Sequence, residues 1–178
     1  MPYILLIFML IPGFCAAQTG AGPGLGMPLA TATAARADDI VWPDGRGLPR
    51  GHGDVASGRA VYESRCLGCH GRDGRGGPGG ELAGGNPDLT AAQPDQTIGT
   101  YWPYATTLFD FVRRAMPLDA PWSLSDDEVY AVVAYLLHLN DLLAADARLD
   151  ARALAALRMP NRAGFVGIDA VVPELEAR

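Results

Sequence analysis

The sequence predicts an all-α fold in which three to five helices are joined by long loops rich in glycine and proline. Apolar residues recur at helical spacing in several segments, most clearly over residues 126–139. No segment shows the sustained alternation of apolar and polar residues that is typical of a half-buried strand. With 22 glycines and 14 prolines among 178 residues, much of the remaining chain is expected to be irregular.

Residues 1–17 are typical of a secretory signal peptide. The apolar run over residues 3–11 is too short to cross a bilayer, so no stable membrane span is expected. Small residues predict cleavage after Ala17, although no basic residue comes before the apolar run. Lipid attachment at Cys15 is a weaker alternative, because bulky Phe14 occupies a position where a small residue is preferred. We therefore expect export from the cytoplasm.

The rest of the chain divides into three predicted parts. Residues 18–37 are rich in Gly, Ala, Pro and Thr without periodicity, which predicts a flexible linker. Residues 38–145 are predicted to form the main domain, in which residues 48–53 are loop. Residues 146–178 are predicted to form an extension that packs on this domain or on a partner, with a short helix over residues 150–158. The formal net charge of -6 argues against nucleic-acid binding, for which a basic face is expected.

The first two predicted helices lie on either side of a long loop. Asp54 is a favourable N-cap for a helix over residues 55–66. The apolar side chains available for its buried face are Val55, Ala56, Ala60, Val61 and Tyr62. The second helix is expected over residues 106–115 and ends before Pro117, because the position preceding a proline disfavours helix. Its predicted apolar positions are Leu108, Phe109, Phe111 and Val112.

The third helix has the clearest boundaries. Ser125 and Glu128 have the spacing of a capping box, and Leu124 and Val129 are placed as a hydrophobic staple. These residues predict a helix over residues 126–139. The order is therefore helix, long loop, helix, short loop, helix.

A motif with its own chemistry stands where the first helix ends: Cys66-Leu67-Gly68-Cys69-His70. The C-x-x-C-H spacing is typical of c-type haem attachment, in which each thiol adds to one vinyl group and the histidine ligates the iron. The sequence therefore predicts one covalently attached haem c. The glycine-rich run over residues 71–80 predicts a backbone that can pass close to a flat cofactor. One carbonyl of this run is expected to accept the His70 Nδ1–H.

Three other interpretations of the two cysteines are weaker. A thioredoxin-like redox pair should follow a strand at the start of a helix, and no such strand is predicted. A zinc site of the Cys/His kind needs four ligands, and no second cysteine pair completes it. A chance pairing of cysteines is the third.

A second iron ligand decides whether the predicted haem suits electron transfer or ligand binding, since methionine raises the potential and an open position allows chemistry. Met116 is the leading candidate, because it lies 46 residues after His70 in a proline-bounded loop directly before the third helix. Met159 is next, although it follows an apparently complete domain. His138 is expected to be solvated or capping, and His52 lies too near the motif.

Aromatic and basic side chains around the second helix are further candidates. Tyr101 and Trp102 are expected to pack on the haem, because each carries a polar donor at the edge of an apolar ring; a core position is the alternative. Arg113 and Arg114 are expected to face solvent, with pairing to haem propionates as the alternative.

Together these residues resemble the class I cytochromes c. The resemblance covers about residues 54–140 and is carried by Cys66, Cys69 and His70, and less specifically by Met116. It implies the class I cytochrome c fold, with a single haem wrapped by the helices and their loops. It also implies that the chain carries electrons and performs no substrate chemistry of its own.

A narrower resemblance is to the SoxD-type cytochrome subunits. The segments that carry it are residues 42–49, 97–110, 113–117 and 159–162. It implies a periplasmic protein that accepts electrons from a molybdenum-containing, sulfite-oxidase-like dehydrogenase subunit in bacterial sulfur oxidation. The electrons would pass to a downstream cytochrome or oxidase. The longest SoxD proteins carry a second haem domain, whereas this chain has one C-x-x-C-H motif.

Other functions remain as alternatives. A generic periplasmic carrier would serve an oxidase or a quinone-linked dehydrogenase. A haem protein with an open sixth position would bind ligands or perform chemistry. A haem-free thiol oxidoreductase would use the two cysteines directly.

Overall fold

The computed structural model describes residue 31 and residues 39–166. The predicted signal peptide and, apart from Thr31, the predicted linker lie outside these residues. The elements in chain order are strand β1 (His52–Asp54), helix α1 (Val55–Arg65), helix α2 (Leu67–His70), a 3₁₀ turn (Arg72–Gly74), helix α3 (Ala105–Ala115), helix α4 (Asp126–Leu139), strand β2 (Arg148–Asp150) and helix α5 (Ala151–Ala156). No helix of the described residues is long and apolar enough to cross a membrane.

Helix α4 is the centre of the domain, and α1, α3 and the two strands pack around it. Its side chains are buried continuously from Val129 to Leu137, as expected for a helix covered on all sides. The predicted capping box is confirmed: the Ser125 side chain accepts from the Glu128 N–H, and the Glu128 carboxylate accepts from the Ser125 N–H at 2.8 Å. Leu124 and Val129 are both buried, as a hydrophobic staple requires.

Helix α1 crosses α4 with the two backbones in close approach. A Cβ added at Gly58 would lie 1.8 Å from the Ala131 carbonyl oxygen, so only glycine fits there. The predicted buried face is confirmed at Val55 and Tyr62 and wrong at Ala56 and Ala60, which are exposed. Gly58, which was not predicted, is buried as well. The close approach of the two helix backbones at Gly58 and Ala131, and not the apolar side chains alone, therefore determines which face of α1 is buried. The predicted cap is confirmed, because the Asp54 side chain accepts from the Ser57 N–H at 2.8 Å.

Helix α3 packs one face on α4 and leaves the other open. The rings of Phe109 and Tyr130 lie 4.5 Å apart in the core. Of the four apolar positions predicted for this helix, Leu108, Phe109 and Val112 are buried, whereas Phe111 is 45% exposed. The segment before β1 runs along α3, where the Val41 N–H donates to Asp110 at 3.1 Å and the Thr106 hydroxyl donates to the Pro43 carbonyl at 3.2 Å.

A two-stranded antiparallel ribbon joins the start of α1 to the tail, with His52 opposite Asp150 and Asp54 opposite Arg148. The prediction of loop at residues 52 and 53 was therefore wrong, since three-residue strands are too short to show an alternating pattern. The tail helix is shorter than predicted and begins after Asp150, whose side chain accepts from the Ala153 N–H at 2.8 Å. Three apolar side chains of this region share the core with α4: Leu149, Leu154 and Met159.

Candidate functional site

The two cysteines and the histidine occupy a single helical turn. Helix α1 ends with the Cys66 N–H bonded to the Tyr62 carbonyl, and the Cys69 and His70 N–H groups both donate to the Cys66 carbonyl, at 3.1 and 3.0 Å. Cys66 is half-buried against the core, whereas Cys69 is exposed, and both are free thiols. The motif therefore presents two thiols and one imidazole from a short, well-anchored stretch.

The His70 ring is oriented by the loop that follows it. Its Nδ1 lies 3.0 Å from the Gly80 carbonyl oxygen. Because a carbonyl can only accept, Nδ1 carries the proton and Nε2 keeps a free lone pair for a metal. The expected loop carbonyl is thus that of Gly80.

The glycine-rich run folds tightly around the motif. A Cβ at Gly77 would lie 2.2 Å from the Cys69 carbonyl oxygen, and one at Gly79 would lie 3.0 Å from the His70 Cε1. The Gly79 N–H also donates to the Cys69 carbonyl at 2.6 Å. Side chains at these positions would displace the Cys69 backbone and the His70 imidazole, so the glycines let the loop pass close to the motif.

The surroundings of Cys66 do not favour a reactive thiolate. Burial raises the pKa of its thiol to about 11. A thiol–disulfide oxidoreductase needs the opposite change, because its nucleophile is a thiolate with a lowered pKa. Cys66 is therefore not suited to be the attacking thiol of a thioredoxin-like pair.

The donor set fits a haem iron. Among residues 39–166 no three His, Cys, Asp or Glu side chains lie close enough to hold a metal ion together. A haem iron takes two ligands from the chain, so His70 with one further side chain is sufficient.

The candidates for the second ligand differ in their surroundings. Met116 ends α3 and is half-buried at the edge of the core cluster. Met159 is only 3% exposed and packs among core side chains. His138 is half-buried, with its Nδ1 3.0 Å from the Leu143 carbonyl oxygen, so it is bonded rather than solvated. His52 lies in β1, where its N–H donates to Asp127 at 2.8 Å.

The two candidate aromatic residues have different neighbours. Trp102 packs against the same core cluster as Cys66 and Met116, and its ring meets Phe111 edge-on at 5.8 Å. The Tyr101 ring contacts Phe165 at 5.2 Å. Trp102 thus packs on the core, whereas the contact of Tyr101 is with the tail.

Sequence reasoning missed apolar side chains that are left exposed on the motif and on the loop after α3. Leu67 lies between the two cysteines, and Leu118 follows Met116 by two residues with 78% of its surface exposed. Neither belongs to a helical apolar face, so no periodicity reveals it. Their nearness in sequence to predicted haem ligands was the available signal.

A mostly helical domain whose first long helix ends in C-x-x-C-H, with the histidine held through Nδ1, is the arrangement of a cytochrome c. A profile of the cytochrome c family matches residues 55–140. The chain belongs to the cytochrome c family, whose members are haem-containing electron carriers.

Known proteins of sulfur metabolism are similar to this chain. A chain of the sulfane dehydrogenase SoxCD from Paracoccus pantotrophus is 38% identical, with a TM-score of 0.73, over 87% of this chain and 77% of that chain. Thiosulfate dehydrogenase of Stutzerimonas stutzeri is 34% identical over 49% of this chain and 28% of its own length. The thiosulfate dehydrogenase of Allochromatium vinosum is 36% identical over 47% of this chain and 31% of its own length. The chain thus spans less than a third of these curated relatives.

Proposed function

We propose that this protein is a periplasmic monohaem cytochrome c that accepts single electrons from a molybdenum-containing sulfite or sulfane-sulfur dehydrogenase subunit. It passes them to a downstream cytochrome or oxidase. The observation that carries the haem assignment is the His70 imidazole, fixed by the Gly80 carbonyl so that Nε2 is free to bind iron. A signal peptide over residues 1–17 would deliver the chain to the periplasm.

Each site residue has a role in this proposal. Cys66 and Cys69 tether the haem through thioether bonds, and His70 is the proximal ligand. Bound haem supplies a one-electron ferric/ferrous couple, and the chain itself makes no bond to a substrate. Trp102 and Tyr101 cover part of the haem surface, which excludes water from it.

Met116 is the proposed sixth ligand. Protein atoms cover its side chain only in part, so some of its surface is open to a ligand. Met159 is enclosed by core side chains, which favours a packing role. Methionine with histidine is the ligand pair of electron-transfer cytochromes c, and it raises the potential.

The proposed electron donor rests on similarity. The likeness to a SoxCD chain covers 87% of this chain, which is more than the residues 55–140 that the cytochrome c family profile matches. The two thiosulfate dehydrogenases favour a second candidate within the same chemistry, in which the chain accepts electrons during thiosulfate oxidation.

A first experiment tests the haem and its ligands. The protein is produced with haem-attachment machinery and its absorbance is recorded before and after reduction. We expect sharp α and β bands on reduction, and the haem should stay with the polypeptide after denaturation, because it is covalently bound. Met116→Ala should lose the weak iron–sulfur charge-transfer band, and Met159→Ala should keep it. A colourless product would refute the haem assignment, and loss of the band only in Met159→Ala would refute Met116.

A second experiment tests the donor. The ferric protein is mixed with a SoxC-type molybdenum subunit and sulfite, or with thiosulfate and a thiosulfate dehydrogenase, and haem reduction is followed by stopped-flow absorbance. Fast reduction only with the molybdenum subunit supports the proposal. Reduction by a quinol-linked dehydrogenase alone would instead indicate a generic carrier.

A further inference from the structure

The loop over residues 116–125, which we call the Met116 loop, connects α3 to α4. It is built from consecutive turns: the Ala120 N–H donates to the Pro117 carbonyl at 2.9 Å, and the Ser123 N–H donates to the Ala120 carbonyl at 3.3 Å. Because both turns include Ala120, these hydrogen bonds fix the backbone path from Pro117 to Ser123. The placement of Met116 therefore depends on what holds the far end of the loop.

Arg113 joins the two ends of this loop. It lies in the last turn of α3, three residues before Met116, and its side chain is only 16% exposed. Its Nε donates to Asp126 Oδ1 at 3.0 Å, at the start of α4. Its guanidinium carbon lies 5.3 Å from the centroid of the Trp122 ring, which is a cation–π contact.

Trp122 needs such support. Its φ of +63° places it in the left-handed region, which is uncommon for a bulky residue. A conformation of this kind persists when the surroundings hold it, and the stack on Arg113 is one contact that does so. Arg113 thus stabilises the shape of the loop as well as its closure.

A second arginine fastens the loop to α1. The Arg65 Nη2 donates to the Ser123 hydroxyl at 2.8 Å. Because Arg65 directly precedes Cys66, this bond connects the Met116 loop to the helix that carries the proposed haem attachment. The two arginines therefore contact neighbouring residues of the loop: Arg113 contacts Trp122, and Arg65 contacts Ser123.

Arg114 shows that this role is specific to Arg113. The two arginines were both expected to face solvent, with propionate pairing as the alternative. Arg114 is 40% exposed and pairs with Asp110 within α3 itself, at 3.2 Å. Arg113 alone of this pair reaches across the loop.

We propose that Arg113 is a positioning residue that holds Met116 on the haem iron, and that the Arg65–Ser123 hydrogen bond supports the same loop. This inference rests on the proposed Met116 ligation. When the Arg113 contacts with Asp126 and Trp122 are removed, the loop opens more often and the iron–sulfur bond is exposed to competing ligands. The haem, its covalent attachment and His70 are unaffected.

The test compares Arg113→Met with Arg114→Met, a matched control at the next position. Two quantities are measured on the ferric holoprotein: the rate of imidazole binding and the temperature at which the iron–sulfur charge-transfer band disappears. Arg113→Met should bind imidazole about five- to tenfold faster, as expected on losing a half-buried, charge-assisted contact, and should lose the band at lower temperature. Arg114→Met should stay within about twofold of the parent, as expected for an exposed pair. Arg113→Lys should have an imidazole binding rate between those of the parent and Arg113→Met, because lysine keeps the charge but not the planar stack on Trp122.

Other outcomes are equally informative. Equal imidazole rates in Arg113→Met and Arg114→Met, with the parent band intact, would overturn the inference alone. A parent protein without the band would overturn Met116 ligation itself and the inference with it. If Arg113→Met yields no folded holoprotein by circular dichroism, Asp126→Ala decides the matter, since it removes the acceptor of the same pair while Ser125 and Glu128 still cap α4. An unchanged imidazole rate in that variant would also overturn the inference.

Discussion

The backbone on both sides of the His70 ring is tied to the rest of the domain. The Gly80 carbonyl accepts from the His70 imidazole. The carbonyl of Gly71, the residue directly after His70, accepts from the Tyr62 hydroxyl at 2.8 Å. Tyr62 is 1% exposed, and burial raises the pKa of its phenol to about 12, so it remains a hydrogen-bond donor throughout the neutral range. One buried hydroxyl therefore fixes the direction in which the chain leaves the motif.

Replacing Tyr62 by Phe tests this contact. The ring and its packing on Tyr135, 5.3 Å away between centroids, are kept, while the bond to the Gly71 carbonyl is lost. We expect the free energy of unfolding to fall by about 1 kcal/mol, the usual net value of such a bond. Urea unfolding of the holoprotein measures it. Tyr104→Phe is the control. The Arg162 guanidinium lies over the Tyr104 ring, 4.2 Å from its centroid, and phenylalanine can keep this cation–π contact. Equal stability of Tyr62→Phe and the parent would contradict the prediction.

At the scale of elements, the sequence predicted where the helices lie better than which faces they bury. The capping box at Ser125 and the N-cap at Asp54 are local signals, and α4 and α1 begin where they predicted. Apolarity misled at Ala56 and Phe111, because burial depends on the partner surface and not on the residue type alone. Helix α1 packs against the backbone of α4 at Ala131, so the contact requires glycine at position 58. A search for apolar side chains at helical spacing does not identify such a glycine.

Adding one methyl group to α1 should therefore be costly. In Gly58→Ala the new Cβ would lie 1.8 Å from the Ala131 carbonyl oxygen and 2.9 Å from the Tyr135 Cβ, so the helices must separate. We expect a loss of about 2–3 kcal/mol in unfolding free energy, typical of overpacking, despite the better helix propensity of alanine. Thermal or urea unfolding would measure the loss. Ala60→Ser adds one heavy atom at an exposed position of the same helix and should change little. Comparable stability in the two variants would show that the crossing can relax.

At the scale of the molecule, the region after α4 contributes to the core instead of lying over it. Strand β2 pairs with the strand that precedes α1, and Leu149 and Leu154 are buried with α4. The Asn161 side-chain amide also donates to the Tyr101 carbonyl at 2.7 Å. None of this could be predicted from composition or periodicity, since the strands are three residues long and the contacts join residues far apart in sequence. The residues themselves predicted only the short tail helix, and the likeness to SoxD-type subunits indicated that the segment after it is structured as well. The division at residue 145 stays a prediction.

The integration of the tail has a measurable consequence at Met159. Its side chain is 3% exposed among core residues, so Met159→Ala would leave a cavity that the surroundings fill only in part. We expect it to lower the unfolding free energy by about 2–5 kcal/mol, the range for a buried methionine. Leu118→Ala, at a side chain that is 78% exposed, should cost less than about 0.5 kcal/mol. Denaturant unfolding of both holoproteins gives the comparison, and their spectra should retain the iron–sulfur band. A Met159→Ala protein as stable as Leu118→Ala would mean that the tail packs only loosely on the domain in solution.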